Sequence, residues 1–307
     1  MDQKVVQIIA QQLNISYTQV NNTIQLLDEG ATVPFISRYR KERTGSLDEI
    51  QVEAVKDASE KMEELLKRKE TVLNTIQEQG LLSPELKKRI DECFDPTELQ
   101  DIYLPYKPKR RTRAMIAREK GLEPLAKIIM KQFEKNLDDR AQSFINDQVE
   151  SVDDALAGAR DIIAEWVNEN ERARGIVRRE FDRGAFITSK VIKGKEEEGA
   201  KFSDYFDWKE PLKKCPSHRL MAMRRGENEG ILRVSVSPEG EEPVERLKRY
   251  FINSNNACTS QMELAIIDSY KRLLEPSIET EYSNLSKEKA DDEAIRVFAD
   301  NLRQLLL

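Results

Sequence analysis

The chain has 307 residues, of which 39% are hydrophobic and 35% are charged, and its formal net charge is −6. This composition is typical of a folded, helix-rich protein and excludes intrinsic disorder, because it supplies ample apolar material for a buried core. The acidic balance also excludes general adhesion to nucleic acid or to anionic membranes, so any such binding has to be local.

The cysteines and the lengths of the apolar runs indicate in which cellular compartment the protein resides. Cys93, Cys215 and Cys258 are odd in number and far apart, which predicts neither a disulfide framework nor a metal site. Polar residues interrupt the N-terminal apolar residues, and no apolar run approaches the ~20 residues of a membrane span. We therefore expect a cytoplasmic protein, monomeric, with no membrane association, metal or cofactor.

Two helices are predicted at the start of the chain. Residues 8–27 resemble a helix-turn-helix motif, with a turn at Asn14-Ile-Ser16 and Ser16 as the N-cap of the second helix. The polar positions of that second helix are neutral: Thr18, Gln19, Asn21, Asn22 and Gln25. Because a DNA-reading helix normally presents cations to the phosphates, packing is a better interpretation than DNA reading.

A long helix is predicted over residues 47–79. Ser46 and Glu49 have the spacing of a capping box, and apolar residues then recur every three or four positions until Gly80. Such a helix would be ~50 Å long. We expect it to brace several smaller elements.

The rest of the chain is also predicted to be mainly helical. Helical patterns cover residues 121–147, 152–181, 243–251 and 259–274, and resume at residue 277. Residues 190–214 read as an irregular connection, and residues 231–237 as the one credible strand. The expected fold is mainly α: a multi-helical, elongated scaffold with helix-turn-helix-like packing and at most a minor β element. Its domains are predicted at residues 1–190, 191–276 and 277–307.

The C-terminal residues carry an apolar stripe without a helix-stop signal. Its members are Val297, Phe298, Leu302, Leu305, Leu306 and Leu307. This ending predicts that the chain is part of a longer protein.

The most unusual segment is cationic. Residues 107–120 carry seven cations and one acid, a local charge of +6 in an acidic chain. We define the basic loop as residues 107–113, and its cations are Lys107, Lys109, Arg110, Arg111 and Arg113. Such a loop is typical of phosphate contact, with Tyr103 and Tyr106 as stacking faces. Alternatively, its cations pair with carboxylates of the same protein. Arg38, Arg40 and Lys41 are a weaker candidate for the same contact.

Candidates for catalysis are few. The one histidine, His218, lies three residues after Cys215, and two potential ligands do not make a zinc site. No nucleophile elbow or P-loop is present in the sequence. The sequence therefore predicts no catalytic residue.

Several motifs, in order along most of the chain, resemble the Tex family of bacterial transcription accessory proteins. The N-terminal motifs are Arg38-Tyr-Arg-Lys-Glu42, Thr44-Gly45, Leu47-Asp-Glu49 and Tyr103-Leu-Pro-Tyr-Lys-Pro-Lys-Arg-Arg-Thr112. The later motifs are Ala117 to Ala126, Gly158-Ala-Arg160, Gly194-Lys195, Glu198 to Phe202, Asp204-Tyr-Phe206, Pro216-Ser-His-Arg219 and Arg225-Gly226.

The resemblance implies a largely helical N-terminal region of a nucleic-acid-binding protein. In full-length members a YqgF domain, helix-hairpin-helix motifs and a C-terminal OB-fold RNA-binding domain follow, and much of the binding is attributed to that OB-fold. The resemblance therefore implies an auxiliary contact by the basic loop.

Three functions remain open on the sequence. The leading one is a non-enzymatic scaffold in transcription that makes sequence-independent contacts with RNA or DNA. The second is a protein-interaction platform, for example for the transcription machinery, whose basic loop is held internally or meets an acidic partner. The third is an enzyme centred on His218.

Overall fold

The chain folds mainly into helices in two compact units. The computed structural model describes residues 2–306, without the side chains of Arg303 and Leu306. Its units are Met1–Pro108 and Lys109–Leu307. Helices dominate both units, and a small antiparallel sheet lies in the second, so the predicted mainly α class is confirmed. The domain limits predicted at residues 190 and 276 do not coincide with this division and stay a prediction.

The described part of the first unit is helical. Its helices are α1 (Gln3–Leu13), α2 (Tyr17–Asp28), α3 (Val33–Tyr39), α4 (Lys41–Thr44), α5 (Glu49–Glu78), α6 (Pro84–Glu92) and α7 (Pro96–Tyr103). One apolar core joins α1, α2, α5, α6 and α7, and a smaller core lies between α2, α3 and the start of α5.

The polar residues at the connection between α1 and α2 cap the helices and bond to the backbone of the same unit. Asn14 ends α1 in the left-handed region (φ 53°), and Ser16 and Gln19 form a capping box at the start of α2. The Gln19 side-chain amide also donates to the Gly45 carbonyl (3.0 Å), and the Asn22 amide donates to the Arg43 carbonyl (2.7 Å). These polar side chains thus hold α2 to α4 and its C-cap. The helix-turn-helix character of the pair stays a prediction.

Helix α5 confirms the predicted long helix but begins differently. The sequence predicts Ser46 as its N-cap, whereas the cap is Asp48, whose carboxylate accepts a hydrogen bond from the Gln51 N–H (2.8 Å). The Gln51 side chain accepts from the Asp48 N–H in return (3.1 Å). Ser46 is unsuited to the role because its backbone is left-handed (φ 64°), whereas an N-cap is normally extended. Helix α5 packs against α1, α2, α3, α6 and α7 and so braces the unit.

The second unit combines helices with a sheet. The described helices are α8 (Arg113–Glu119), α9 (Glu123–Lys131), α10 (Leu137–Gln142), α11 (Val152–Glu169), α12 (Glu171–Gly184), α13 (Ser217–Asn228), α14 (Glu242–Phe251), α15 (Ala257–Ser269) and α16 (Glu275–Leu306). The strands are β1 (Ala185–Val191), β2 (Asp207–Pro211) and β3 (Leu232–Pro238), in the order β2-β1-β3. One large apolar core fills the unit. No helix within residues 2–306 has the length and apolar character that crossing a lipid bilayer requires.

The sheet corrects the predicted irregular connection. Strand β1 pairs with both β2 and β3 in antiparallel register, for example Thr188 with Lys209 and with Ser235. The sequence obscures β1 because it follows α12 at once, without a turn. It obscures β2 because the short segment Asp207–Pro211 carries three charged residues. The helical pattern of residues 152–181 also proves to be two helices, separated at Asn170, which is the N-cap of α12.

The predicted helix break before residue 277 is also corrected. Helix α15 continues through a π-helical segment, Tyr270–Leu274, directly into α16, which contains Pro276. A π-helical turn widens the backbone, which accommodates a proline that would otherwise clash with the preceding turn. Of the predicted apolar stripe, Val297, Phe298, Leu302 and Leu305 are exposed on α16, and Leu306 and Leu307 lie outside the described side chains.

Candidate nucleic-acid interface

The basic loop is anchored by helices at both ends. Before it, a 3-10 turn (Leu104–Tyr106) extends α7, and the Gln79 side-chain amide donates to the Tyr106 carbonyl (2.8 Å). After it, the Thr112 hydroxyl caps α8 by accepting from the Met115 N–H (3.1 Å). Lys107 belongs to the first unit, whereas residues 109–113 belong to the second.

One loop cation points into the second unit. The Lys109 ammonium donates to Glu169 and lies 3.5 Å from the Glu165 carboxylate, while Arg118 donates to the same Glu165 oxygen (2.9 Å). Both carboxylates are on α11, and their side chains are only 8% (Glu165) and 14% (Glu169) exposed. Burial raises the pKa of Glu169, although the hydrogen bond from Lys109 opposes the rise. Lys109 is therefore an internal counter-ion.

The other loop cations are exposed. Arg111 forms one surface ion pair with Glu119 (2.8 Å), and the Arg111 side chain is 68% exposed. Lys107, Arg110 and Arg113 are exposed and form no hydrogen bond or ion pair with the side chains described in residues 2–306. Arg113 interacts with Asp161 only as a neighbouring charge. The loop thus combines one inward cation with four outward ones.

The tyrosines before the loop are not free stacking faces. Tyr103 is 6% exposed and belongs to the core of the first unit, and its ring lies under the Arg68 guanidinium (5.3 Å to the ring centroid). Tyr106 is half-buried against the same core. The prediction that these rings stack on bases is therefore wrong for Tyr103, because α7 turns that side chain inward.

The N-terminal candidate cations lie beside exposed aromatic rings. Arg40 follows α3, and its guanidinium sits 4.9 Å from the Phe35 ring centroid, whereas Arg38 and Lys41 are exposed. The Phe35 and Tyr39 rings are 5.5 Å apart, and Tyr39 is 63% exposed. Neither aromatic was predicted as part of the interface, although their four-residue spacing places them on one face of a helix.

The structure places His218, the residue at the centre of the enzyme alternative, at the start of α13. It is exposed on the first turn of α13 and lines an open groove of about 370 Å³ with Met221 and the apolar face of α16. Burial raises the pKa of Cys215 to about 12, so its thiol stays protonated and is a poor ligand or nucleophile. The part of the chain that the structure describes holds no group of three or more potential metal ligands.

Comparison with known proteins identifies the family. Residues 132–298 match the family described as Tex central region-like, and residues 3–77 match the Tex-like protein N-terminal domain. The chain is 41% identical over 309 residues to Transcriptional accessory protein Tex of Neisseria gonorrhoeae, which covers 99% of the chain and 41% of that protein. It is 40% identical over 319 residues to Protein YhgF of Escherichia coli strain K12, which covers 100% of the chain and 41% of that protein.

A more distant relative is S1 RNA-binding domain-containing protein 1 of Homo sapiens, 27% identical over 327 residues, covering 100% of the chain and 32% of that protein. The chain spans about two fifths of the length of the bacterial relatives described above. The family matches and these identities agree with the motifs read from the sequence, and the chain belongs to the Tex family.

Proposed function

We propose that this chain is part of a transcription accessory protein in the cytoplasm, where it makes sequence-independent contacts with nucleic-acid phosphates and performs no catalysis. The observation that supports the proposal most directly is the exposure of Arg110, Arg111 and Arg113 at the surface of the second unit. The name of the gonococcal relative supports the role in transcription.

The chemistry of these three arginines suits phosphate. A guanidinium presents a planar fork of donors that matches phosphate oxygens, and two of the three make no competing ion pair among residues 2–306. The third, Arg111, is in a solvent-exposed pair of a kind that contributes little free energy and exchanges readily for another anion. A phosphate contact here needs no rearrangement of the core.

The first unit offers a separate contact of the same kind. Arg38 and Lys41 supply charge, and the exposed Tyr39 ring supplies a face on which an unpaired base can stack. Lys107 adds a further exposed cation at the end of that unit. We propose these residues as auxiliary contacts.

A salt titration tests the loop. Binding of a fluorescein-labelled oligouridine of about 12 nucleotides and of a duplex is measured by anisotropy from about 50 to 300 mM KCl. In R110Q/R111Q/R113Q we expect about tenfold or greater loss of affinity at low salt, and a log–log slope smaller by about 2, because each phosphate contact on a single strand contributes ~0.7.

The matched control is K127Q/K131Q/K135Q, which removes three exposed lysines from α9 and the segment after it. We expect this variant to lose affinity less than about threefold. Equal losses in the two triple variants would contradict a local contact and would leave only the net charge as the cause.

The inward Lys109 favours the second function, a protein-interaction platform with a partly internal loop. In that case R110Q/R111Q/R113Q would bind the oligonucleotide as the unchanged chain does, but would lose binding to an acidic peptide of glutamates. Sedimentation velocity on the same samples tests the proposed monomer.

The non-enzymatic part of the proposal is supported by the exposed His218 and the protonated Cys215 thiol. A nuclease assay on the same oligonucleotide provides the check. Cleavage that disappears in His218→Ala, with the fold intact, would overturn this part without affecting the loop proposal.

A further inference from the structure

Helix α12 is rich in arginines that face two directions. On its inner face, Arg174 donates to the Ser277 hydroxyl (3.1 Å), and Arg178 forms a bidentate pair with Glu281 (2.8 and 3.0 Å). These two arginines hold α12 against α16. Because Arg179 follows one position later, it points away from that contact and is exposed.

The outward face of α12 forms one wall of a groove, and α14, which packs against α12, forms the other. The groove is open and has a volume of about 290 Å³. We call it the arginine groove, and its lining residues are Ile176, Arg179, Arg246, Arg249 and Tyr250. Three guanidinium groups therefore meet around an apolar floor formed by Ile176.

Carboxylates neutralise only part of this charge. Arg246 lies near Glu180 (2.8 Å) and Glu242 (3.0 Å), but its buried Nε lacks hydrogen-bond geometry. Glu180 is also 3.2 Å from Arg183 and is thus shared between two arginines. Arg179 and Arg249 make no hydrogen bond or ion pair with any group described in residues 2–306. The arginine groove therefore keeps a surplus of positive charge.

Tyr250 gives the arginine groove an aromatic face beside these cations. Its ring is 37% exposed and packs edge-on against Phe251 (centroids 4.8 Å apart, planes at 76°), which restricts its orientation. Phe251 is buried in the core of the unit. An aromatic face that is held in place next to exposed arginines is the combination that accepts an unpaired base and its phosphates.

We infer that the arginine groove binds single-stranded nucleic acid, with Arg179 and Arg249 on phosphate oxygens and Tyr250 stacked on a base. This site lies on α12 and α14, apart in sequence from the basic loop, and does not depend on the contact proposed for that loop. A duplex offers phosphates but no free base face, so the single strand is preferred.

The experiment compares two charge-matched double variants of the chain. R179Q/R249Q removes the two unpaired arginines of the groove, and R140Q/R172Q removes two exposed arginines outside it. We expect R179Q/R249Q to bind the labelled oligouridine about tenfold more weakly. The slope of log affinity against log salt concentration should be smaller by about 1.4, at ~0.7 for each phosphate contact. We expect R140Q/R172Q to lose less than about threefold.

Tyr250→Leu tests the stacking contact. We expect about tenfold weaker binding of the single strand with an unchanged salt slope, and little change for a duplex of the same length. Far-UV circular dichroism and the fluorescence of Trp166 and Trp208, both in the second unit, check that every variant is folded.

Three outcomes would overturn the inference. The first is equal loss in the two double variants, and the second is equal loss of duplex and single strand in Tyr250→Leu. The third is that R179Q/R249Q loses binding to an acidic peptide of glutamates but keeps its affinity for the oligonucleotide. That result would assign the arginine groove to a protein partner. Repeating the series in R110Q/R111Q/R113Q separates this site from the loop. If the two sets of residues act independently, their losses of binding free energy should add.

Discussion

Glu165 and Glu169 are one helical turn apart on α11, and both are largely buried. Two carboxylates at this spacing repel each other, and burial adds a desolvation cost for each charge. Lys109 and Arg118 supply the positive charge that makes the arrangement tolerable. Lys109 carries the same charge as the other cations of the basic loop but has a different role. The sequence pattern alone does not distinguish the two roles.

Lys109→Met is therefore expected to destabilise the second unit. We expect the free energy of unfolding to fall by about 1–3 kcal/mol near neutral pH, less than for a fully buried pair because the Lys109 side chain is 25% exposed. Arg110→Met, at an exposed position, should change it by less than about 0.5 kcal/mol. Urea unfolding followed by tryptophan fluorescence measures both, and equal effects would contradict an internal role for Lys109.

The pH dependence of that loss has a defined sign. Without Lys109 the folded pKa of Glu169, already raised by burial, rises further above its unfolded value. The folded state then binds the proton more tightly, so the loss is full above the folded pKa and shrinks as the pH falls toward the unfolded value of about 4.3. Adding Glu169→Gln should recover most of the loss at neutral pH, and a penalty that stays constant with pH would refute this explanation.

At the scale of single elements, the start of α5 has two candidate capping residues, Asp48 and Ser46, and substitutions distinguish them. Asp48→Ala removes the carboxylate that accepts from the Gln51 N–H, and we expect a loss of about 1 kcal/mol in the free energy of unfolding. Ser46→Ala should change it by less than about 0.5 kcal/mol, because that side chain does not cap the helix. Urea unfolding followed by far-UV circular dichroism is suitable, since both tryptophans belong to the other unit. A larger effect at Ser46 would reverse the assignment.

The packing of α11 depends on Gly158. A Cβ at this position would overlap Leu122 Cδ1 and would lie 3.4 Å from the Ala117 side chain. Gly158→Ala should therefore lower the free energy of unfolding by about 1–3 kcal/mol, although alanine favours an isolated helix. Gly175→Ala on α12 is the control, because its Cβ would meet only Arg179 at 3.8 Å. A stabilised Gly158→Ala would show that Leu122 moves aside without cost. Gly158 belongs to the motif Gly158-Ala-Arg160, so the result tests a packing role for the glycine of that motif in this chain.

The elements that the sequence predicts well are those whose signals are local. Helix α5 shows apolar residues at helical spacing over 30 residues, and the basic loop is a run of adjacent cations. The direction of a side chain is not local information, so the inward Tyr103 and Lys109 could not be told from their exposed neighbours. Strand β1 depends on partners distant in the chain. The arginine groove also joins two helices far apart in sequence, so it emerges only from the packing of α12 on α14.

At the scale of the whole molecule, the basic loop and the arginine groove are local groups of exposed cations on a chain whose net charge is −6. Arginine supplies most of the exposed cations of the basic loop and all those of the arginine groove. Arginine does not lose its proton in the physiological range, and exposed lysine loses it only well above neutrality. The electrostatic attraction proposed for nucleic acid should therefore be insensitive to pH over a wide window, while it remains sensitive to salt.

A pH series on the unsubstituted chain at fixed ionic strength tests this insensitivity. Between about pH 6.5 and 9 the affinity for the oligouridine should stay constant within about twofold, since the chain has a single histidine and burial raises the pKa of all three cysteines. Below about pH 5 affinity should rise, because protonation of carboxylates removes negative charge that repels the nucleic acid. Anisotropy titrations across this range measure the effect, with His218→Ala as the control for the single histidine of the chain. A steep fall in affinity between pH 6 and 8 that His218→Ala removes would contradict arginine-based phosphate contacts and would place His218 at the binding surface.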